Sequence, residues 1–174
     1  MAGSSPNYYW DTCLFLAWLK DETSRKPGEM DGVREFLTRH SKRQISLMTS
    51  VLTITEITIA KTPAGTESLL EQVMQRRNFT RLSIDLRVAT LARDLRNHYL
   101  ADPVKYKDMS LTVPDSLHLA SAILNKATEF HTFDEFDKPK YKALGLIPLS
   151  GNVAGHNLVI CKPMAKQLGI QFGK

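Results

Sequence analysis

Short apolar runs alternate along this chain with longer amphipathic stretches, and a polar break follows each run. Residues 8–10, Tyr-Tyr-Trp, predict a short aromatic strand. Thr12 can then cap a helix through residues 13–20, in which Leu14, Leu16, Ala17 and Trp18 are the apolar positions. Residues 21–32 are polar and read as a loop, and residues 33–40 as a short helix with Phe36 and Leu37 inward. Further strands are predicted over 45–49, 79–84, 129–132 and 146–149, with helices over 67–77, 86–99 and 115–126. Pro114 opens the last of these helices, in a first-turn position where its missing N–H costs little. Residues 101–112 read as a polar connector, and 141–144 as a helical turn closed by Gly145.

One segment carries two opposing signals. The β-branched residues of 51–61, VLTITEITIAK, favour a strand. Thr53-Ile-Thr-Glu56 within it matches the capping-box pattern of a helix start. The reading adopted is a strand that ends near Ser50, then a helix carrying Glu56 in its first turns. The tail from residue 151 is less periodic; LVICKP, at 158–163, is an additional edge strand, since Pro163 argues against a central one. Strands that alternate with helices imply an α/β protein with a parallel sheet covered on both faces. At 174 residues this is one domain. Its expected body is residues 8–150, preceded at 1–7 by a disordered N-terminus or an expression scar. Residues 151–174 form a C-terminal extension packed on the domain.

Composition narrows the function classes. A hydrophobic fraction of 43% and a charged fraction of 24% are ordinary for a water-soluble globular protein. No apolar run is long enough to cross a bilayer, and the N-terminus lacks a secretory pattern. Both cysteines, Cys13 and Cys161, are expected reduced, in a cytoplasmic protein. The net charge of +5 fits a polyanionic partner, and equally fits simple solubility.

Four carboxylates change the picture. Asp11, Glu56, Asp115 and Asp134 each follow a short apolar, strand-like run. In a parallel α/β sheet, residues beyond the carboxyl ends of the strands converge on one crevice. Four acids gathered there repel one another unless a hard divalent cation binds them; Mg²⁺ takes carboxylate, water and phosphate oxygens. The pattern points to metal-dependent chemistry on phosphate.

These residues, in this order, resemble a PIN-domain ribonuclease over roughly residues 8–149. The motifs that carry the resemblance are Asp11-Thr12 after the first strand, Glu56 in LTITEI, the helix start Asp115-Ser-Leu-His-Leu-Ala-Ser-Ala, and Thr132-Phe-Asp134. The resemblance implies a three-layer α/β/α sandwich and Mg²⁺- or Mn²⁺-dependent endonucleolytic cleavage of single-stranded RNA. It implies Asp11, Asp115, Asp134 and Glu56 as catalytic metal-binding acids, with Thr12 and Thr132 in support. Many small members are VapC-type toxins, homodimers silenced by a small antitoxin protein. The chain departs from the family where a second acid often stands two residues past the last Asp: Phe136 is there, and Asp137 follows it.

Simpler roles are open to the same residues. Asp11 suits a helix cap, Glu56 a capping box with Thr53, and Asp115 the helix dipole. His118 lies one turn after Asp115 on the same face and reads foremost as a satisfied helix residue; His131 reads as packing within a strand. Five histidines and two cysteines show no zinc spacing, so no zinc site is expected. Arg39/Lys42/Arg43 and Arg76/Arg77/Arg81 are RNA-binding candidates only where they border the acidic crevice. Trp10 and Trp18 are expected in the core. The competing function is a PIN-like component of an RNA-binding or RNA-processing assembly with weak or no nuclease activity. A phosphoacceptor signalling domain ranks below both, because Asp11 is single and the late lysines lie in the polar segment after Asp134.

Overall fold

The computed structural model describes residues 5–165. The expected scar at 1–4 and the last nine residues of the tail lie outside the described residues. Five parallel strands form one sheet: β1 (Asn7–Trp10), β2 (Ser46–Ser50), β3 (Phe79–Leu82), β4 (Glu129–His131) and β5 (Ile160–Cys161). Their order is β3-β2-β1-β4-β5. The chain winds outward in both directions from β1, so the switch point falls between β1 and β4, where α/β sheets place their ligands. Asn7, expected in the disordered N-terminus, opens β1 opposite Ser46.

Side-chain alternation along the strands builds two cores, one on each face. Tyr8 and Trp10 of β1, Leu47 of β2 and Phe79 of β3 pack with Leu14, Phe15 and Ala17 of α1 (Thr12–Leu19). The same core takes Val33 and Phe36 of α2 (Glu29–Ser41), and Val73 and Met74 of α4 (Glu67–Met74). On the other face Tyr9, Met48, Leu82 and Phe130 pack with Leu95 and Tyr99 of α5 (Leu86–Leu100) and Leu119 of α7 (Val113–Leu124). Burying these rows excludes water from both faces, the main favourable term in the fold. Trp10 is fully buried, and Trp18 packs at the margin of the α1 core. The result is the three-layer α/β/α sandwich.

Three elements depart from the sequence expectations. Helix α2 begins at Glu29, earlier than the apolar period suggested. The connector at 101–112 holds a one-turn helix, α6 (Pro103–Tyr106), capped by Asp102, whose side chain accepts from Lys105 N. The run 146–149 is not a strand; Ile147–Leu149 is a 3₁₀ turn, and the N–H groups of Leu146 and Ile147 donate to the Asp134 carbonyl. The edge strand expected in LVICKP forms, as the pair Ile160–Cys161, so residues beyond 150 complete the sheet. Pro163 falls just past it, where no ladder hydrogen bond is needed.

Candidate active site

Asp11 follows β1 directly and occupies the N-cap position of α1, but its side chain makes no capping bond. It turns instead toward the end of β4. Asp11 Oδ2 accepts from the Thr132 hydroxyl at 2.7 Å and from the Cys13 thiol at 3.2 Å. The Asp11 N–H donates to the His131 carbonyl at 3.1 Å, which locks the two strand ends together. Burial, reinforced by the Asp11 charge, holds the Cys13 thiol protonated and so a donor.

Asp115 enters from α7. Thr112 caps that helix: its oxygen accepts from the Asp115 N–H at 3.2 Å, and its hydroxyl donates back to Asp115 Oδ2 at 2.5 Å. This reciprocal pair positions the carboxylate at the helix start. Burial first, and the charges of Asp11 and Asp134 with it, push the Asp115 pKa up against the Thr112 bond. Asp134 sits in the loop after β4, with its N–H on the Thr132 oxygen at 3.1 Å. Its pKa is also raised, by burial first and by Asp11 and Asp137, against the Lys138 ammonium 2.8 Å away. Asp11, Asp115 and Asp134 therefore share one electrostatic neighbourhood at the switch point.

Glu56 approaches by another route. It is the last residue of α3 (Leu52–Glu56), whose N-cap is Val51, so Thr53 and Glu56 do not form the expected capping box. Thr53 is buried and bonds the hydroxyls of Thr49 at 2.7 Å and Thr12 at 3.0 Å. Thr12 is the first residue of α1 rather than its cap, and its hydroxyl donates to Glu56 Oε2. His118 Nε2 donates to the same oxygen at 3.0 Å, while its Nδ1 meets the Tyr9 hydroxyl at 2.6 Å. Burial opposes charge on His118, but the Glu56 bond and the charges of Asp11, Glu56 and Asp115 outweigh it and raise its pKa. Burial likewise opposes charge on Glu56, and the bonds from His118 and Thr12 outweigh it and lower its pKa. The two form an ion pair beneath the cluster.

The loop after Asp134 is tied down. Asp137 accepts from the Gly145 N–H at 2.9 Å. A Cβ on Gly145 would stand 2.7 Å from the Phe136 backbone carbon, so only glycine lets the two strands of the loop approach this closely. Gly145→Ala is expected to destabilise the protein by about 1–3 kcal/mol, the scale of overpacking, and to displace Asp134. Urea denaturation checks the first effect; a variant as stable as the wild type would show the close approach to be dispensable.

Among the contributors not assigned to the site by the sequence pattern are His118, Tyr9, Thr112, Cys13 and Lys138. The spacing of His118 from Asp115 was visible, but Glu56, its partner, is 62 residues away. Three of the arginines, by contrast, lie at the opposite ends of the strands from the acids. Arg43, Arg76 and Arg77 line a separate cavity of about 340 Å³ with Asn78, which precedes β3 at the amino ends of the strands. Arg39 lies over the Phe36 ring of α2, and Arg81 lines a small cleft with Leu70 and Met74 of α4.

The acids fit a hard cation. All are oxygen donors, and the pKa values of Asp115 and Asp134 are raised by burial first and by the neighbouring carboxylates second, which Lys138 only partly offsets. In the structure Asp115 is drawn back to Thr112 and Asp134 to Lys138. A cation that keeps several of its waters suits such a spread of carboxylates.

A family model of the PIN domain matches residues 8–136. The chain belongs to the PIN-domain family, whose members are nucleases. No curated protein matches it. Among solved structures, a chain of VapBC2 from Rickettsia felis, bound to a DNA fragment from its promoter, aligns with a TM-score of 0.56 at 14% identity, covering 88% of this chain and 98% of that one. It shares the fold. FitAcB from Neisseria gonorrhoeae aligns at a TM-score of 0.48 and 17% identity, over 73% of this chain and 87% of that one. A toxin–antitoxin complex from Klebsiella pneumoniae aligns at 0.46 and 20%, over 72% and 84%.

Proposed function

We propose that this protein is a Mg²⁺- or Mn²⁺-dependent endoribonuclease acting on single-stranded RNA, the toxin of a toxin–antitoxin pair. The observation that supports the reading is that the charges of Asp11 and Asp134 act on Asp115, and that of Asp11 on Asp134, while Thr12 and His118 hold Glu56. Membership of a nuclease family supports the chemistry. Likeness in fold to a VapBC2 chain supports the toxin role.

Asp11, Asp115 and Asp134 would hold the ion, Glu56 directly or through water. When bound, the ion supplies a water of lowered pKa and neutralises charge on the phosphate. Thr132 keeps Asp11 in place and bonds the Asp134 N–H, so one hydroxyl sets two carboxylates. Glu56, kept ionised by His118, accepts a proton or orients the attacking water. Lys138 stands where a scissile phosphate can take its ammonium from Asp134. Next to it, Lys140 and the exposed Tyr141 offer a charge and a ring to a single strand. The partner we propose is a small antitoxin, and the working form a cytoplasmic homodimer. Exposed Ile54, Ile59 and Leu69 around α3 and α4 give a protein partner an apolar face. No helix among the described residues is long and apolar enough to cross a membrane.

The deciding experiment incubates purified protein with a labelled single-stranded RNA and its duplex, with Mg²⁺, with Mn²⁺ and with EDTA. Cleavage confined to the single strand and abolished by EDTA is expected; cleavage that survives EDTA would sink the metal role. Affinity of Asp115→Asn for the strand should fall with salt. Lys140→Gln should flatten that dependence by roughly 0.7 in the log–log slope, one phosphate contact's share. An unchanged slope in a fluorescence titration would remove Lys140 from the RNA path.

A further inference from the structure

Glu129, His131 and Cys161, on β4 and β5, bring three different donor atoms within 4.8 Å of one another. Glu129 and His131 are two apart on β4 and so share a face; Cys161 is the register partner of His131 on β5. The face is that of α2: the His131 ring stacks on Tyr8 at 5.1 Å and meets the Phe36 edge at 4.6 Å. His131 Nε2 lies 2.8 Å from Glu129 Oε2, and Cys161 Sγ 3.6 Å from the same oxygen.

We propose that Glu129, His131 and Cys161 form a second metal site, for a borderline-soft divalent ion such as zinc, that clips edge strand β5 to β4. The inference is independent of the nuclease reading. A carboxylate, an imidazole and a thiol suit zinc and discriminate against Mg²⁺, which selects oxygen. The donors are organised in advance, because backbone pairing fixes them: Phe130 N donates to Val159 O at 2.8 Å, and Thr132 N to Cys161 O at 3.0 Å. Tetrahedral zinc–ligand bond lengths place donors about 3.3–3.8 Å apart, so the His–Glu contact opens by roughly half an ångström and the Cys–Glu contact already fits. Glu129 and Cys161 are only half-buried, which leaves water a route to a fourth position.

The proton balance is simple. Glu129 is ionised, its pKa lowered first by the His131 bond. His131 is neutral, since burial lowers its pKa. Binding moves its proton from Nε2 to Nδ1 and releases one proton, from the Cys161 thiol. Nδ1 is buried without a partner, so this exchange replaces an unpaired acceptor with an unpaired donor. Arg39 of α2 faces Glu129 and His131 and opposes a cation there. Sequence spacing missed the group because sheet register, not a loop, assembles it.

The test is a Co²⁺ titration of the full chain in excess Mg²⁺, followed by absorbance. One equivalent should give a near-ultraviolet thiolate-to-cobalt charge-transfer band, which Zn²⁺ removes while raising the melting temperature. The band should vanish in Cys161→Ser, weaken in Glu129→Gln, and form at lower Co²⁺ in Arg39→Gln. It should persist in Cys13→Ser and Asp115→Asn. Absence of the band in the wild type, its persistence in Cys161→Ser, or its loss in Cys13→Ser or Asp115→Asn would overturn the proposal. If Cys161→Ser does not fold, the wild-type band, its weakening in Glu129→Gln and its survival in Cys13→Ser decide the matter.

Discussion

Asp115→Asn is expected to lower RNA cleavage by a hundredfold or more, on the order of losing a preorganised charge from a catalytic site, and to stabilise the metal-free protein. The geometry separates the two effects. Asparagine keeps an oxygen to accept from Thr112, so the cap of α7 survives. The lost charge is one that burial and the neighbours Asp11 and Asp134 already disfavour. A carboxylate whose pKa is raised on folding costs nothing below its unfolded value, 3.8, and its cost is complete once pH exceeds the raised folded value. The stability gain of Asp115→Asn should therefore be full at neutral pH and fade in acid, and it should shrink when Mg²⁺ binds the wild type. Melting curves with EDTA and with Mg²⁺, at neutral and acid pH, check it. A mutant that cleaves RNA at the wild-type rate would remove Asp115 from the site.

What the sequence made legible follows one rule: a feature could be read where its cause was local. Apolar runs bounded by polar breaks located β1 to β4, and Asp11 and Asp134 stand just past β1 and β4; the run before Asp115 is no strand, and that residue stands in the first turn of α7. The rule failed where a distant partner decided the outcome. Residues 146–149 are as apolar as a strand, but the Asp134 carbonyl takes two of their N–H groups and Pro148 has none to give. The sheet's last position passes to Ile160–Cys161, which completes an edge with two residues. Thr53-x-x-Glu56 has the spacing of a capping box, yet Thr53 is claimed by Thr49 and Thr12 across the core. Arg43, Arg76 and Arg77 looked like candidates for an RNA path until the strand directions put them at the amino ends, away from the acids.

His118 is the residue whose weight sequence reasoning most underrated, and its removal should be the most destabilising change in the site. It is 1% exposed and joins Tyr9 to Glu56, so His118→Ala leaves a cavity, a buried phenol that keeps the Ser50 N–H but loses the imidazole, and a half-buried carboxylate without its cation. Breaking a buried pair costs about 3–5 kcal/mol; because the Glu56 side chain keeps 25% of its exposure, water recovers part of that, and about 2–4 kcal/mol is expected. The pH dependence distinguishes this loss from the cavity alone. The raised pKa of His118 adds stability that is complete below its unfolded value, 6.5, and is lost as pH rises through the folded value. The lowered pKa of Glu56 adds stability above its unfolded value, 4.5, lost as pH falls through the folded value. The pair's contribution is thus greatest between those two pH values. In EDTA the wild type should lose stability from neutral to mildly alkaline buffer, and His118→Ala should not. Urea denaturation across that interval is the measurement. Parallel curves for the two proteins would mean that His118 acts by packing alone, and that Glu56 is held for catalysis by Thr12 without a buried cation behind it.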